Sequence, residues 1–147
     1  MENNDYTISQ IKKEFYRFRN GLLAESLKKL PDAKKIIFGL NVPQFMELSQ
    51  KFPKDFNLAM QLWMDKDCRE SRLLSLYLLP VTLVDTDTAQ KLILEVENAE
   101  EAEFLAFRIL RKIKNAREIY SIITRAEELK GPPAYCITMF KKNLDQI

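Results

Sequence analysis

Three glycines and six prolines are the strong breakers in this chain of 147 residues, and most of them fall between long segments with helically spaced apolar residues. That punctuation argues against a strand-rich fold, since no alternating runs joined by hairpin dipeptides and no glycine-rich phosphate loop occur. Ile8, Ile11, Phe15, Phe18 and Leu22 predict a first helix over 7–30, with Gly21 as a kink and Pro31 as its stop. Gly39 suits the end of a short segment and Pro43 a first helical turn, so a second helix is expected to reach about residue 52. A third begins at Asp55; a fourth follows "DKDCRE", where Asp67 and Glu70 have capping-box spacing, and stops at Pro80. Further helices are expected over 87–95, 99–114, 116–129 and 133–144, broken by Asn98, Asn115 and Gly131-Pro132. The expected fold class is all-α: one domain over 1–147, a short α-solenoid of about seven or eight antiparallel helices in HEAT-like pairs. A compact bundle is the alternative, because no exact internal repeat is visible.

Composition bounds the chemistry. With 46% hydrophobic and 30% charged residues, and 23 bases against 21 acids, the chain has the makings of a folded core. It contains no histidine, which removes histidine triads, imidazole metal ligation and the usual neutral-pH proton shuttle. Cys68 and Cys136 are the only cysteines, too few for a disulfide framework or a thiolate zinc cluster, so no metal or cofactor is expected. Catalysis would have to rest on carboxylates, lysines, tyrosines or those two thiols. The polar start "MENNDYTISQ" and the lack of a long apolar run predict a cytoplasmic protein with no membrane partner.

Charge is segregated along the chain. Residues 81–103 hold one base against seven acids, whereas residues 104–147 hold nine bases against four acids. The boundary lies between "ENAEEAEF" and "RILRKIKNAR". One helix accounts for both runs: Asn98 as N-cap, Glu101 at N3, further acids near the positive end of the dipole and Arg111, Lys112 and Lys114 at the other end. Helical-wheel angles place Ala102, Leu105, Ala106, Ile109 and Ile113 on the buried face, Glu101, Arg108 and Lys112 toward solvent, and Glu103 at the border beside Phe107 and Leu110. Arg108, Arg111, Lys112, Lys114 and Arg117, followed by Arg125, Lys141 and Lys142, are candidate contacts to DNA phosphates if they share a surface, and solvated side chains if they scatter.

"FGLNVPQFMELSQKF" followed by "LAMQLWMDKDCRESRLLSLYLL" resembles the DNA alkylation repair family of AlkD-like HEAT-repeat DNA glycosylases. Gly39, Leu40 and Pro43 match that family's Gly-Val-x-x-Pro turn, Leu62 and Trp63 its Leu-Trp helix end, and Glu70 and Arg72 its His-Glu-x-Arg helix start. The likeness covers residues 38–80. Arg69 stands in place of the histidine, Gln44, Phe45 and Met46 replace an arginine after the proline turn, and the chain is expected to supply only the first repeats of the longer solenoid. The resemblance also implies a catalytic carboxylate in an Asn-Trp-x-x-x-Asp setting, stabilising an oxocarbenium-like transition state. Laid on this chain, Asn98 takes the asparagine, Ala99 the tryptophan and Glu103 the aspartate. The aromatic is lost, and an acid longer by one methylene can miss a tight geometry by about 1 Å, a loss on the order of a hundredfold in rate.

Apart from the resemblance, Trp63 suits a core plug, Glu70 a helix cap, Arg72 a partner for Asp65 or Asp67, and Glu103 a helix-start acid. Three functions follow as expectations: non-specific binding of the duplex DNA backbone with little excision, a scaffold binding protein partners or its own copies, and an active alkylpurine glycosylase using Glu103.

Overall fold

The computed structural model describes residues 2–126 and 128–146, with side chains from 7–125 and 128–146. Among these the fold is all-helical, and its only β-type pairing is a single parallel bridge between Ile36 and Cys68. No helix among the described residues is long and apolar enough to cross a membrane. The chain divides between Leu79 and Pro80 into two compact units.

The first unit contains α1 (Glu2–Phe18), α2 (Gly21–Lys28), α3 (Val42–Ser49), α4 (Phe56–Met64) and α5 (Arg69–Leu78). The single helix expected over 7–30 is two helices. Asn20 ends the first by capping the second: its Oδ1 accepts from the amides of Leu22 and Leu23 at 3.1 and 3.2 Å, and its own N–H donates to the Phe38 carbonyl at 2.8 Å. A side-chain acceptor thereby replaces the intrahelical bonds, and Gly21 opens a helix instead of kinking one. α3 begins with a capping box, Asn41 and Gln44 exchanging bonds of 3.0 Å, and ends at Ser49, short of the expected 52. Asp55 caps α4 as expected.

Every residue of α5 is buried, although it holds Arg69, Glu70, Ser71, Arg72 and Ser75. The capping box expected of Asp67 and Glu70 does not form: Cys68 is the N-cap and gives no side-chain bond. Glu70 instead reaches the loop ahead of α3. Its carboxylate accepts three successive amides, Phe38 at 2.9 Å, Gly39 at 3.0 Å and Leu40 at 3.3 Å, and pairs with Arg69 Nη1 at 2.6 Å. Arg69 Nη1 also donates to the Leu40 carbonyl at 3.0 Å. The Ile36–Cys68 bridge ties the same loop to the start of α5, Ile36 N donating to Asp67 O at 2.9 Å and Arg69 N to Ile36 O at 3.0 Å. Trp63 is the core plug foreseen, 1% exposed, with the Arg72 guanidinium 3.6 Å from its ring centroid and Arg72 Nη1 donating to its carbonyl at 2.7 Å. Asp65 is engaged by Lys12 Nζ at 3.0 Å and Ser71 Oγ at 2.7 Å.

The second unit comprises a 3-10 turn (Val81–Leu83), α6 (Thr86–Glu95), α7 (Ala99–Arg108), a second 3-10 turn (Leu110–Lys112), α8 (Ala116–Ala126) and α9 (Pro132–Asp145). Its core is apolar, with Leu92, Ile93, Leu105, Ile109, Ile123, Phe140 and Leu144 all buried. α7 stops six residues before the expected end at 114, and the chain turns through Asn115 at φ 65° before α8. Asparagine tolerates that left-handed conformation better than most residues.

Gly39 sits at φ 91°, and a Cβ there would collide with the Asn20 carbonyl oxygen and press on the Ala24 amide. Gly39→Ala is therefore expected to destabilise the protein by about 2 kcal/mol or more, and Glu70→Gln, which leaves Arg69 without its carboxylate, by about 3–5 kcal/mol. Urea unfolding followed by circular dichroism measures both. A loss below about 1 kcal/mol in either variant would contradict this account of the loop.

Candidate functional site

α7 begins where the acidic run predicts. Asn98 Oδ1 accepts from the Glu101 amide at 2.8 Å, the N-cap expected. Glu101 departs from the helical-wheel placement toward solvent: it is buried, and its Oε1 accepts from the Glu97 amide at 2.9 Å. Folding back over the helix start satisfies the backbone donor just ahead of the N-cap, which outweighs exposure of the carboxylate.

Glu103 is exposed on α7 and accepts a 2.6 Å hydrogen bond on Oε1 from the Tyr135 hydroxyl in the first turn of α9. Packing of α9 along α7 brings the two together; in the same contact the adjacent Cys136 has its buried thiol 3.6 Å from the Ala102 carbonyl. Glu103 raises the pKa of Tyr135 above its ordinary 10.0, because the hydrogen bond and the carboxylate charge both favour the protonated phenol. Tyr135 went unmarked in the sequence: it lies 32 positions from Glu103, and neither periodicity nor charge links them. Ala99, one turn before Glu103, is exposed and offers no ring.

One turn beyond Glu103, Phe107 is 49% exposed and is covered by Arg111, whose guanidinium lies 4.0 Å from the ring centroid and whose Nε donates to the Phe107 carbonyl at 2.6 Å. The 3-10 turn and the Asn115 bend then carry Lys112 and Lys114, both exposed. Two of the predicted phosphate contacts are placed differently. Arg108 is half-buried instead of facing solvent with Lys112, because the helix ends at it and its Nε lies in the interior. Arg117 is exposed but directed to the end of α9, donating to the Leu144 carbonyl at 2.7 Å and standing 4.0 Å from the Asp145 carboxylate. It offsets the negative end of that helix. The site thus joins Glu103 to Tyr135 and Arg111 to Phe107, keeps Lys112 and Lys114 in solvent, and draws Arg117 to another task.

Both thiols are removed from chemistry by burial, which raises the pKa of Cys68 and pushes that of Cys136 up to about 12. Among the described residues no group of three or more acids and cysteines is arranged to hold a metal ion. What remains is an exposed carboxylate with a tyrosine partner, an arginine-covered aromatic and two exposed lysines.

The Tyr135 shift has a defined sign. Its folded pKa is raised, so the stabilisation it gives is complete below the unfolded value near 10.0 and is lost as pH rises through the folded value. Absorbance titration of wild type against Tyr135→Phe is expected to show one phenol ionising later than a free tyrosine, and Glu103→Gln to bring that titration earlier. An unchanged titration in Glu103→Gln would remove the pair from the site.

Comparison with family models, with curated proteins and with solved structures found no match to this chain.

Proposed function

We propose that this chain is an AlkD-like HEAT-repeat protein that binds the backbone of duplex DNA without reading sequence and excises alkylated bases poorly. The observation that carries the binding is the turn at the end of α7, where the exposed Lys112 and Lys114 follow Arg111, which lies half-buried over Phe107. Closely spaced cations on a rigid turn can neutralise phosphates and release counterions, which needs no base contacts. The sequence motifs behind the resemblance also belong to one physical unit, since Glu70 binds the Gly39 and Leu40 amides and Arg72 covers Trp63.

The surroundings of Glu103 support weak excision. In bulk water a carboxylate and a cation 4 Å apart attract by only about 1 kcal/mol, far less than in a dry site. Glu103 is exposed, its neighbour at Ala99 lacks a ring, and one of its oxygens is taken by Tyr135.

A second reading, a scaffold for protein partners, draws on the first unit, where Leu22 is 87% and Met64 69% exposed and Val42 and Met46 are about half exposed on α3. Large apolar side chains in solvent mark interaction surfaces when they are contiguous.

Fluorescence anisotropy with labelled duplex, at low and near-physiological salt, tests the proposal. Wild type is expected to bind with a steep salt dependence, and the Arg111→Glu, Lys112→Glu variant to lose about two units of the log–log salt slope. Failure to bind at low salt would overturn the DNA reading and favour the scaffold. Glycosylase activity is checked on methylated duplex with Glu103→Gln as control; rapid excision by wild type, abolished in the variant, would restore Glu103 as a catalytic acid.

A further inference from the structure

Beyond DNA binding, the second unit holds a cleft of about 280 Å³ between the Val81–Leu83 turn with the start of α6 and the Ile113–Ile122 segment. Its size lies just under that of ordinary ligand sites, which run from roughly 300 Å³ upward, and suits only a small molecule. Val84, Ile113 and Ile119 supply apolar walls and are themselves buried, while Ile122 stands 44% exposed among the lining residues. The polar lining includes both signs of charge, Lys114 against Glu118 and Asp85. Asp85 already caps α6, accepting from the Thr88 amide at 2.8 Å. Lys114 and Glu118 differ from it: neither forms an ion pair or side-chain hydrogen bond with another described residue, although both line one small cleft.

The wall between them is Asn115, the only described non-glycine residue with positive φ. Side chains other than glycine adopt that conformation at a cost, and sites that bind ligands are among the places where such strain is retained. The cleft combines five aliphatic side chains with polar and charged ones, and small-molecule sites likewise join apolar walls to placed polar groups.

We infer that this cleft binds a free α-amino acid with a branched or aromatic side chain. The side chain would lie against Val84, Ile113 and Ile119, the ammonium would face Glu118 and the carboxylate Lys114. A zwitterion satisfies both charges at once, which a fatty acid, an amine or a neutral apolar ligand does not. Lys114 precedes the Asn115 bend and Glu118 lies in the first turn of α8 after it, so the bend contributes to the spacing of the two charges.

The test is a titration of the isotopically labelled full chain, followed by amide chemical shifts, with L-leucine and L-phenylalanine. Saturable shifts centred on Val84, Asn115 and Ile119 are expected in the millimolar range, about 1–10 mM. Glycine, which lacks the side chain, and N-acetyl-leucine amide, which lacks both charges, are each expected to bind about tenfold more weakly. Lys114→Met and Glu118→Gln should each weaken leucine binding about fivefold or more while the rest of the spectrum stays in place. No shifts at the cleft up to about 50 mM amino acid would overturn the inference, and so would equal binding of the capped amide, which would make the cleft a plain apolar groove. The ligand-side comparisons hold even if a variant misfolds. The charge-reversed Arg111→Glu, Lys112→Glu variant leaves every lining residue untouched, so loss of DNA binding and loss of amino-acid binding are read separately.

Discussion

The Glu70 carboxylate is the interaction on which the first unit depends. It is fully buried, and a buried carboxylate is tolerable only where donors surround it. Three amides in succession and the Arg69 guanidinium meet that need, and in doing so they fix the backbone of residues 38–40 against α5. Three amides can converge on one carboxylate because Gly39 takes a left-handed conformation, and the lack of a side chain there lets the Asn20 carbonyl and the start of α2 come close. Asn20 in turn donates to Phe38 and caps α2. A single acid therefore orders a loop, a helix start and a close backbone contact, and the polar α5 becomes the most buried helix of its unit.

The second unit solves its charge problem differently. α7 carries acids at its start and Arg108 at its end, the distribution a helix dipole favours. Helix termination then decides what the charges do. Because α7 stops at Arg108, the bases that follow are carried by a tight turn and a left-handed asparagine, not by one continuing helical face. Arg111 folds back on Phe107, Lys112 and Lys114 remain in solvent, and Arg117 caps α9. The same bend forms a wall of the cleft, so the proposed phosphate contacts and the proposed amino-acid site share one local feature without sharing all of their residues.

Helix positions were legible because they rest on short-range physics. Asn98, Asp55 and Pro80 mark ends that local hydrogen bonding and ring geometry enforce wherever the chain goes. Trp63 was legible as core from its apolar helix. Glu101 was misplaced because the wheel treats a carboxylate as seeking water, whereas it found the Glu97 amide; Glu70 was misplaced because the capping box offers it an amide of its own helix start, whereas it found the amides of a loop 30 to 32 residues away. Tyr135 was invisible because its meaning comes only from the packing of α9 on α7.

By itself, the sequence determined an all-helical chain, the approximate starts and stops of its helices, the exclusion of histidine chemistry and the segregation of acids from bases. These follow from residue type and from neighbours within a few positions. Tertiary structure alone decided which acids are buried, which bases remain in solvent, which tyrosine meets Glu103 and where a cleft opens. The decisive meetings bring together groups 30 or more residues apart, as with Glu70 and Leu40 or Tyr135 and Glu103. No local propensity encodes such a meeting, because its free energy comes from desolvation and packing that exist only once the helices have assembled.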